Sequence, residues 1–144
     1  MRVIVQRAKE ASVSIDKKIV GKIGYGYMLL VGFTEGDNDS TIEAMVKKIL
    51  NLRIMDDDDG VMNRSILDTG GEILSISQFT LYADTTKGNR PSYIKALKGE
   101  ESTILYDKFN EELSKFIHVE KGVFGANMQV HLINDGPTTI LLEK

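Results

Sequence analysis

The sequence contains no cysteine and no tryptophan, and it has only two prolines and two histidines. The absence of cysteine excludes disulfide bonds, thiolate catalysis and zinc or iron–sulfur sites built on cysteine. His118 lies near the end of a predicted helix, where a surface role is expected, and His131 sits within a strand-like run with no second histidine or carboxylate at metal-ligand spacing. Gly21, Gly24 and Gly26 do not make the dinucleotide-binding spacing, and no phosphate-binding Gly-Lys-Ser/Thr motif occurs. We therefore expect no metal and no cofactor.

Long apolar runs are also missing, since none approaches the ~20 residues that span a bilayer. The opening residues, Met1-Arg2-Val3-Ile4-Val5-Gln6-Arg7, are charged too early for a signal peptide. A chain of 144 residues has the length of one domain, here 1–144. These features predict a soluble, cytoplasmic protein without a membrane partner.

Charge of both signs is nearly balanced, with 18 Lys and Arg against 21 Asp and Glu and a net charge of −3. This balance argues against broad nucleic-acid binding, which depends on neutralising phosphates. A local patch stays open, because Lys87, Arg90, Lys95 and Lys98 form one basic stretch with no acid between them. A solvated surface and a nucleic-acid contact are its two interpretations.

Strand-like patterns recur along the chain, at residues 1–7, 11–23, 25–33, 72–82, 124–133 and 137–143. A hairpin turn is predicted at Asp16-Lys17-Lys18, and the apolar run at 25–33 predicts a buried strand.

Helical spacing of apolar residues predicts helices at about 41–52 and about 101–116. Ser40 is the expected N-cap of the first, with Glu43 reaching back to it. Pro91 suits the first turn of a short helix through Leu97. The pattern predicts an α/β or α+β fold, a single layered domain of roughly seven strands and two or three helices.

The acidic run Asp56-Asp57-Asp58-Asp59-Gly60 invites a calcium-loop interpretation. With its glycine at loop position six, the loop would need an acid at position one, where Met55 stands. The run therefore predicts an acidic hairpin turn.

The segment Glu72 to Tyr82 carries polar residues on a strand pattern. A regular strand would send Gln78 and Thr80 to the same face as Leu74 and Ile76. Buried polar side chains need partners, which either neighbouring backbone or a ligand pocket at the strand end would supply. Ser77 and Thr80 have no local histidine or lysine base to activate them as nucleophiles.

A second unusual segment, Asn134-Asp135-Gly136-Pro137, separates two strand-like runs near the C-terminus. Proline lacks an N–H and disturbs a strand ladder, while glycine has no side chain to cover its carbonyl. The pair is compatible with a plain turn between strands and with a bare stretch of backbone that contacts a ligand.

Ser77-Gln78-Phe79-Thr80-Leu81 and Asn134-Asp135-Gly136-Pro137-Thr138-Thr139 closely resemble the two signature motifs of D-aminoacyl-tRNA deacylases, the D-tyrosyl-tRNA deacylase family. Collinear matches extend over essentially the whole chain, among them Val5-Gln6-Arg7, Met62-Asn63, Gly88-Asn89-Arg90-Pro91-Ser92 and Phe124-Gly125-Ala126. One departure is Thr138, where the family usually has valine; its hydroxyl adds a donor near the pocket.

The resemblance implies a deacylase-type fold, with mixed, barrel-like sheets and two or three helices packed on one side. It implies a homodimeric hydrolase that cleaves the ester between a D-amino acid and the 3′-terminal adenosine of tRNA, and also glycyl-tRNA. Gly136-Pro137 is then a cis pair inserted into the partner's active site, where its carbonyls hold the substrate's α-amino group.

The resemblance also implies the residues of the site. Ser77, Gln78 and Thr80 are the expected catalytic residues, with the backbone N–H of Thr80 favoured over its hydroxyl. Phe79, Phe124 and Met128 are expected against the substrate, and Arg7 is expected to brace the Gly-Pro segment. The rival hypothesis is a non-catalytic module that binds a nucleotide or a free D-amino acid in the same pocket.

Overall fold

A six-stranded sheet and a separate short hairpin form the frame of the computed structural model, which describes residues 1–144. The strands are β1 Arg2–Ile15, β2 Lys18–Ile23, β3 Gly26–Gly32, β4 Met55–Asp56, β5 Met62–Arg64, β6 Glu72–Ser77, β7 Val119–Lys121 and β8 Gln129–Glu143. The sheet order is β2-β1-β3-β6-β7, with β8 also paired to β1. The β3–β6 and β6–β7 pairs are parallel and the others antiparallel, while β4 and β5 form the hairpin. There are eight strands, where the sequence predicted roughly seven.

The sheet curves until β2 lies against β7. A Cβ added to Gly21 of β2 would stand 3.1 Å from the carbonyl oxygen of Lys121 in β7 and 3.3 Å from a methyl group of Leu74. Apolar side chains fill the interior of this nearly closed barrel, in a buried cluster of Ala8, Ala11, Val13, Ile23, Met28, Leu74 and Ile76. Small residues such as Gly21 allow the strands to approach this closely.

Three helices pack together on the outer face of the sheet, namely α1 Asp39–Leu50, α2 Ile66–Thr69 and α3 Gly99–Ser114. They share one buried cluster of 21 residues with the sheet, to which β3 contributes Tyr27 and Leu29 while its Met28 faces the barrel interior. Both faces of β3 are thus buried, as its apolar run predicted. The layered α/β domain with helices on one side is confirmed. No helix has the length and apolar character needed to cross a bilayer.

Local signals predicted some element ends and missed others. The β1–β2 turn is confirmed, because Asp16 and Lys17 take positive φ values of 49° and 65°, as a two-residue hairpin turn requires. The acidic run indeed turns between β4 and β5. The N-cap prediction is wrong: α1 is capped by Asn38, whose side chain accepts from the N–H of Thr41, and not by Ser40.

The predicted short helix at 91–97 is absent. Ser92 instead exchanges two backbone hydrogen bonds with Asp84, and the N–H of Leu97 donates to the carbonyl of Phe33 at 2.9 Å. These tertiary bonds hold the two ends of the segment, and between them the chain makes only a single turn, in which the N–H of Ala96 donates to the carbonyl of Tyr93 at 3.0 Å. They outweigh the helix signal from Pro91.

Strand β6 is shorter than the predicted 72–82 and ends at Ser77. The N–H of Gln78 makes the last bond to β3, to the carbonyl of Val31 at 2.7 Å, and β3 itself ends at Gly32. With no neighbour left, the chain turns into a 3-10 helix, Phe79–Tyr82, called here the 3-10 turn. The prediction that Gln78 and Thr80 continue the face of Leu74 is therefore wrong.

Strand β8 runs continuously through the Gly-Pro pair, where the sequence predicted two strands at 124–133 and 137–143. Thr139 of β8 pairs with Gln6 of β1, and the next paired residue of β8, Asn134, pairs with Ala8. Four residues, 135–138, therefore stand opposite the single residue Arg7. They form a bulge that lifts Pro137 out of the ladder without ending the strand.

Candidate active site

A cavity of about 300 Å³ opens where the parallel strands β3 and β6 end. Clefts beyond the carboxyl ends of parallel strands are common ligand sites. Its lining residues come from the ends of β3 and β6, the start of the 3-10 turn, α3, the segment after β7 and the start of β8. They are Val31, Gly32, Phe33, Ile76, Ser77, Gln78, Phe79, Ser102, Phe124, Gly125, Ala126, Asn127, Met128 and Val130. Five of the predicted site residues, Ser77, Gln78, Phe79, Phe124 and Met128, thus line one cavity.

The first wall of the cavity is the junction of β6 with the 3-10 turn. The side-chain amide of Gln78 donates to the hydroxyl of Thr80 at 2.5 Å, so Thr80 lies behind Gln78 and does not itself line the cavity. Phe79 is 54% exposed, and its ring meets the edge of Tyr93 at a centroid distance of 5.1 Å. At the start of any helix the first N–H groups lack an intrahelical acceptor, which here concerns Phe79 and Thr80.

The opposite wall is the turn between β7 and β8. The ring of Phe124 packs 5.9 Å from that of Tyr106, whose hydroxyl donates to the carbonyl of Ser75 at 2.8 Å. The sulfur of Met128 lies so close to Gly122 that a Cβ there would stand 2.5 Å from it. Phe124 is therefore held through Tyr106 to strand β6, and Met128 packs on Gly122, directly after strand β7.

None of the fourteen lining residues is acidic, basic or a histidine. Behind Phe124 lies the buried Tyr106, and burial raises the pKa of Tyr106, so its hydroxyl stays neutral. The chemistry available from this cavity is that of hydroxyls, amides and backbone N–H groups. General acid–base catalysis by an ionised side chain of the same protomer is not built into it.

Gly136 and Pro137 lie elsewhere, in the β8 bulge, and neither lines the cavity of its own protomer. Both are exposed, the peptide bond between them is cis, and Gly136 has φ 117°. A side chain at Gly136 would place its Cβ 2.6 Å from the hydroxyl oxygen of Thr138, which is itself buried. The bulge therefore presents backbone, not side chains, to the outside.

Arg7 holds the bulge from behind. Only 5% exposed, it donates from Nη1 to the carbonyl of Ile54 and to Asp56, both at 2.8 Å, and its Nε lies 3.2 Å from the carboxylate of Asp135. The side-chain amide of Asn134 donates to the carbonyls of Arg7 and Thr138, each at 3.0 Å. The base of the bulge is thus cross-linked on both sides of the Gly-Pro pair.

Comparison with known proteins identifies the family. The family model of D-Tyr-tRNA(Tyr) deacylase matches residues 4–143, nearly the entire chain. This protein belongs to the D-Tyr-tRNA(Tyr) deacylase family. Enzymes of this family are hydrolases that act on the ester bond of D-aminoacyl-tRNA, so tRNA carries the substrate.

Two solved structures resemble this deacylase. A structure named "c-Myc DNA Unwinding Element Binding Protein" is 41% identical, with 100% of this chain and 99% of that chain covered and a TM-score of 0.95. A second, named as a probable eukaryotic D-amino acid tRNA deacylase, is 18% identical with a TM-score of 0.84 over 98% of this chain and 97% of that one. The second likeness supports the fold of the deacylase.

Several residues of the deacylase cavity carried no sequence signal of their own. Phe33, Ser102 and Asn127 come from three separate segments and meet only in the folded chain. The Phe79–Tyr93 contact was equally hidden, since it joins the 3-10 turn to the loop that follows.

The histidines and the acidic run lie outside this cavity. His118 pairs with Glu120 at 3.0 Å on the surface, and His131 is exposed on β8. The backbone N–H groups of Val61 and Asp59 donate to Asp57 and lower its pKa, as in a turn closed by its own carboxylate. No group of three or more His, Cys, Asp or Glu is arranged to hold a metal ion.

Proposed function

We propose that this deacylase acts as a homodimer in which Gly136-Pro137 of one protomer enters the cavity of the other and selects D-aminoacyl groups. One observation carries the proposal: the cavity and the bare Gly-Pro backbone are both accessible, yet in a single protomer the pair does not line the cavity. The Gly-Pro pair of a second protomer would complete the cavity of the first. Proofreading of D-aminoacyl-tRNA in the cytoplasm is the role that follows.

The cavity suits the 3′-terminal adenosine with its ester. Phe79, Phe124 and Met128 offer apolar and aromatic surface for the adenine, and the hydroxyl of Ser77 and the amide of Gln78 lie in the same cavity. Ligand sites of this kind combine apolar walls with a few convergent polar groups. The ester carbonyl would then lie at the start of the 3-10 turn.

Hydrolysis would proceed without an ionised side chain. The 2′-hydroxyl of the terminal ribose assists a water molecule that attacks the ester carbonyl, and the negative charge develops on the carbonyl oxygen. Backbone N–H groups at the start of the 3-10 turn, that of Thr80 among them, stabilise this oxyanion. The tetrahedral intermediate then expels the ester oxygen of the ribose, which takes up the proton that the attacking water gave up, and the D-amino acid leaves.

Chirality would be read by backbone. The carbonyl oxygens of Gly136 and Pro137 accept hydrogen bonds from the α-amino group of a D-residue. An L-residue held by the same amino group would direct its side chain into this backbone, and the resulting clash rejects it. Glycine has no side chain to clash, so glycyl-tRNA, including glycine mischarged on alanine tRNA, becomes a second substrate.

The ion pair of Arg7 with Asp135 supports this role for the bulge, because Asp135 directly precedes Gly136. Arg7 contacts no cavity residue through any of its hydrogen bonds. We therefore assign Arg7 as a positioning residue. It acts on the substrate only through the Gly-Pro backbone.

The deciding experiment offers the purified protein D-tyrosyl-tRNA, L-tyrosyl-tRNA and glycyl-tRNA under identical conditions. Rapid release of tyrosine from the D-ester and of glycine, with the L-ester left intact, is the expected result. Equal release from both tyrosyl esters would contradict the chirality filter. Analytical sedimentation of the same sample should give a dimer.

A second candidate function comes from the 41% identical relative, whose name describes binding to a DNA element. The net charge of −3 provides little attraction for duplex DNA. The rival hypothesis is a non-catalytic module for a nucleotide or a D-amino acid. Such a module would bind adenosine or free D-tyrosine, as measured by calorimetry, without releasing D-tyrosine from tRNA. The ester-release assay separates the deacylase from both binding functions, and calorimetry with adenosine, D-tyrosine and duplex DNA separates those two from each other.

A further inference from the structure

The loop between the 3-10 turn and α3, residues 84–98 and called here the basic loop, is not used by the proposed mechanism. It carries four basic side chains and one carboxylate, a formal charge of +3, so the rest of the chain sums to −6 against the total of −3. The chain therefore concentrates positive charge in one loop of an otherwise acidic protein. A sign change of this kind marks a surface for an anionic partner.

The carboxylate of the basic loop serves the loop itself. Asp84 accepts from the N–H and the hydroxyl of Thr86, at 3.0 and 2.7 Å, and pairs with Lys95 at 3.4 Å. Together with the Asp84–Ser92 backbone bonds, these contacts close the base of the loop. Lys87, Arg90 and Lys98 are exposed, and none of them makes an ion pair or a side-chain hydrogen bond. Three cations thus face solvent without a protein counter-charge.

Two contacts fix this loop at the mouth of the cavity. Tyr93 meets Phe79, a cavity residue, at 5.1 Å, and Leu97 donates its N–H to the carbonyl of Phe33, another cavity residue. Beside Tyr93, the side chain of Ile94 is 83% exposed, more than any other large apolar residue. The basic loop therefore adjoins the cavity through Tyr93 and Leu97, and the same loop carries the three free cations and the exposed side chain of Ile94.

We propose that the basic loop binds the single-stranded 3′ end of the tRNA, with Lys87 and Arg90 against its phosphates and the Phe79–Tyr93 pair against a base. Basic grooves combined with aromatic faces bind single strands, because unpaired bases stack on aromatic rings while the phosphates meet cations. Paired bases in a duplex are already stacked on one another, so the aromatic pair favours an unpaired end. This inference rests on the proposed function, since it assumes that the cavity takes the terminal adenosine.

The test compares two esters, D-tyrosyl-tRNA and D-tyrosyl-adenosine, which share the scissile bond but differ in the phosphates. Replacing Lys87 and Arg90 by glutamine should lower kcat/KM on the tRNA ester on the order of tenfold at about 0.1 M salt, with a salt slope shallower by about 1.4. Activity on D-tyrosyl-adenosine should be unchanged. Tyr93→Ala should likewise lose on the order of tenfold on the tRNA ester.

The matched control is K47Q/K48Q, which removes two exposed, unpaired cations from the last turn of α1. An equal loss in this control, or an equal loss on both esters in the loop variant, would overturn the inference. So would duplex DNA that competes as well as a short single-stranded RNA ending in CCA. Direct binding of that labelled RNA tests the basic loop even if neither ester is cleaved. The wild type should bind the RNA, and K87Q/R90Q should bind it more weakly. Absence of all ester cleavage would count against the proposed function alone.

Discussion

The side-chain amide of Gln78 donates a hydrogen bond of 2.5 Å to the hydroxyl oxygen of Thr80. This hydroxyl therefore acts as an acceptor toward the cavity side, and no histidine, lysine or carboxylate lines the cavity to take its proton. A hydroxyl without a base is a poor nucleophile. This agrees with the proposed role of Thr80, which is carried by its backbone N–H, a group that every substitution except proline retains.

The first prediction concerns the Thr80 hydroxyl. Thr80→Ala should keep kcat/KM on D-tyrosyl-tRNA within about tenfold of the wild type, because the proposed oxyanion donors are backbone groups. Thr80→Ser, which keeps a hydroxyl, is the control and should behave like the wild type. A loss of several orders of magnitude in Thr80→Ala, restored in Thr80→Ser, would instead establish a nucleophilic hydroxyl.

The second prediction concerns Gly136. Gly136→Ala should abolish D-specific release, because its φ of 117° is unfavourable for alanine and the new Cβ would stand 2.6 Å from the Thr138 hydroxyl. Gly60→Ala is the matched control, since Gly60 has φ 75° and nothing within 4 Å of a Cβ. Each variant should lose about 1–3 kcal/mol of unfolding free energy from backbone strain. Full activity in Gly136→Ala would argue against a role for this backbone.

The third prediction concerns Arg7. Arg7→Ala leaves Asp56 and Asp135 without their shared cation and should lower the unfolding free energy by about 2–3 kcal/mol, less than a fully buried pair costs because both carboxylates are partly exposed. Arg64→Ala, which breaks the exposed pair with Asp58, should cost no more than about 1 kcal/mol. Urea unfolding at fixed protein concentration measures both. Equal costs would show that Arg7 does not hold the bulge.

The fourth prediction is a pH dependence in the basic loop. Hydrogen bonds from the hydroxyl and N–H of Thr86, with help from Lys95, lower the pKa of Asp84 to about 2. A carboxylate with a depressed pKa stabilises the folded state above its ordinary pKa, and that contribution disappears as the pH falls through the folded pKa. The loop should therefore be unchanged from about pH 8 to about pH 5 and loosen only as the pH falls from near 4 toward 2. An NMR titration of the Asp84 carboxyl group checks this; a midpoint near 4 would contradict it.

The sequence predicted the elements whose signals are local. The alternating pattern of β1, the Asp16–Lys17 turn, the doubly buried β3 and the cores of α1 and α3 each depend on neighbours in the chain. The wrong predictions concern elements whose ends depend on segments that are distant in the sequence. Strand β6 stops at Ser77 because its neighbour β3 ends, and β8 continues past Pro137 because β1 extends along its whole length.

The site could be predicted in part for the same reason. Ser77, Gln78 and Phe79 stand in one short motif and Phe124 in another, with Met128 four residues after it, and the family resemblance pointed to these residues, which line one cavity. Phe33 and Ser102 join the cavity only through the packing of β3 and α3 against β6. Arg7 lies beside Asp135 because the bulge places four residues opposite one, a register that no spacing in the sequence reveals.

The most direct test of the cross-protomer filter is a crystal structure with a non-hydrolysable amide analogue of D-tyrosyl-adenosine. The measurement is the distance from the α-amino nitrogen of the analogue to the carbonyl oxygens of Gly136 and Pro137. The adenosine should lie between the Phe124 wall and the 3-10 turn of one protomer, with the α-amino group within hydrogen-bond distance of those carbonyls from the other. An analogue bound in the cavity with its amino group away from both Gly-Pro pairs would contradict the account.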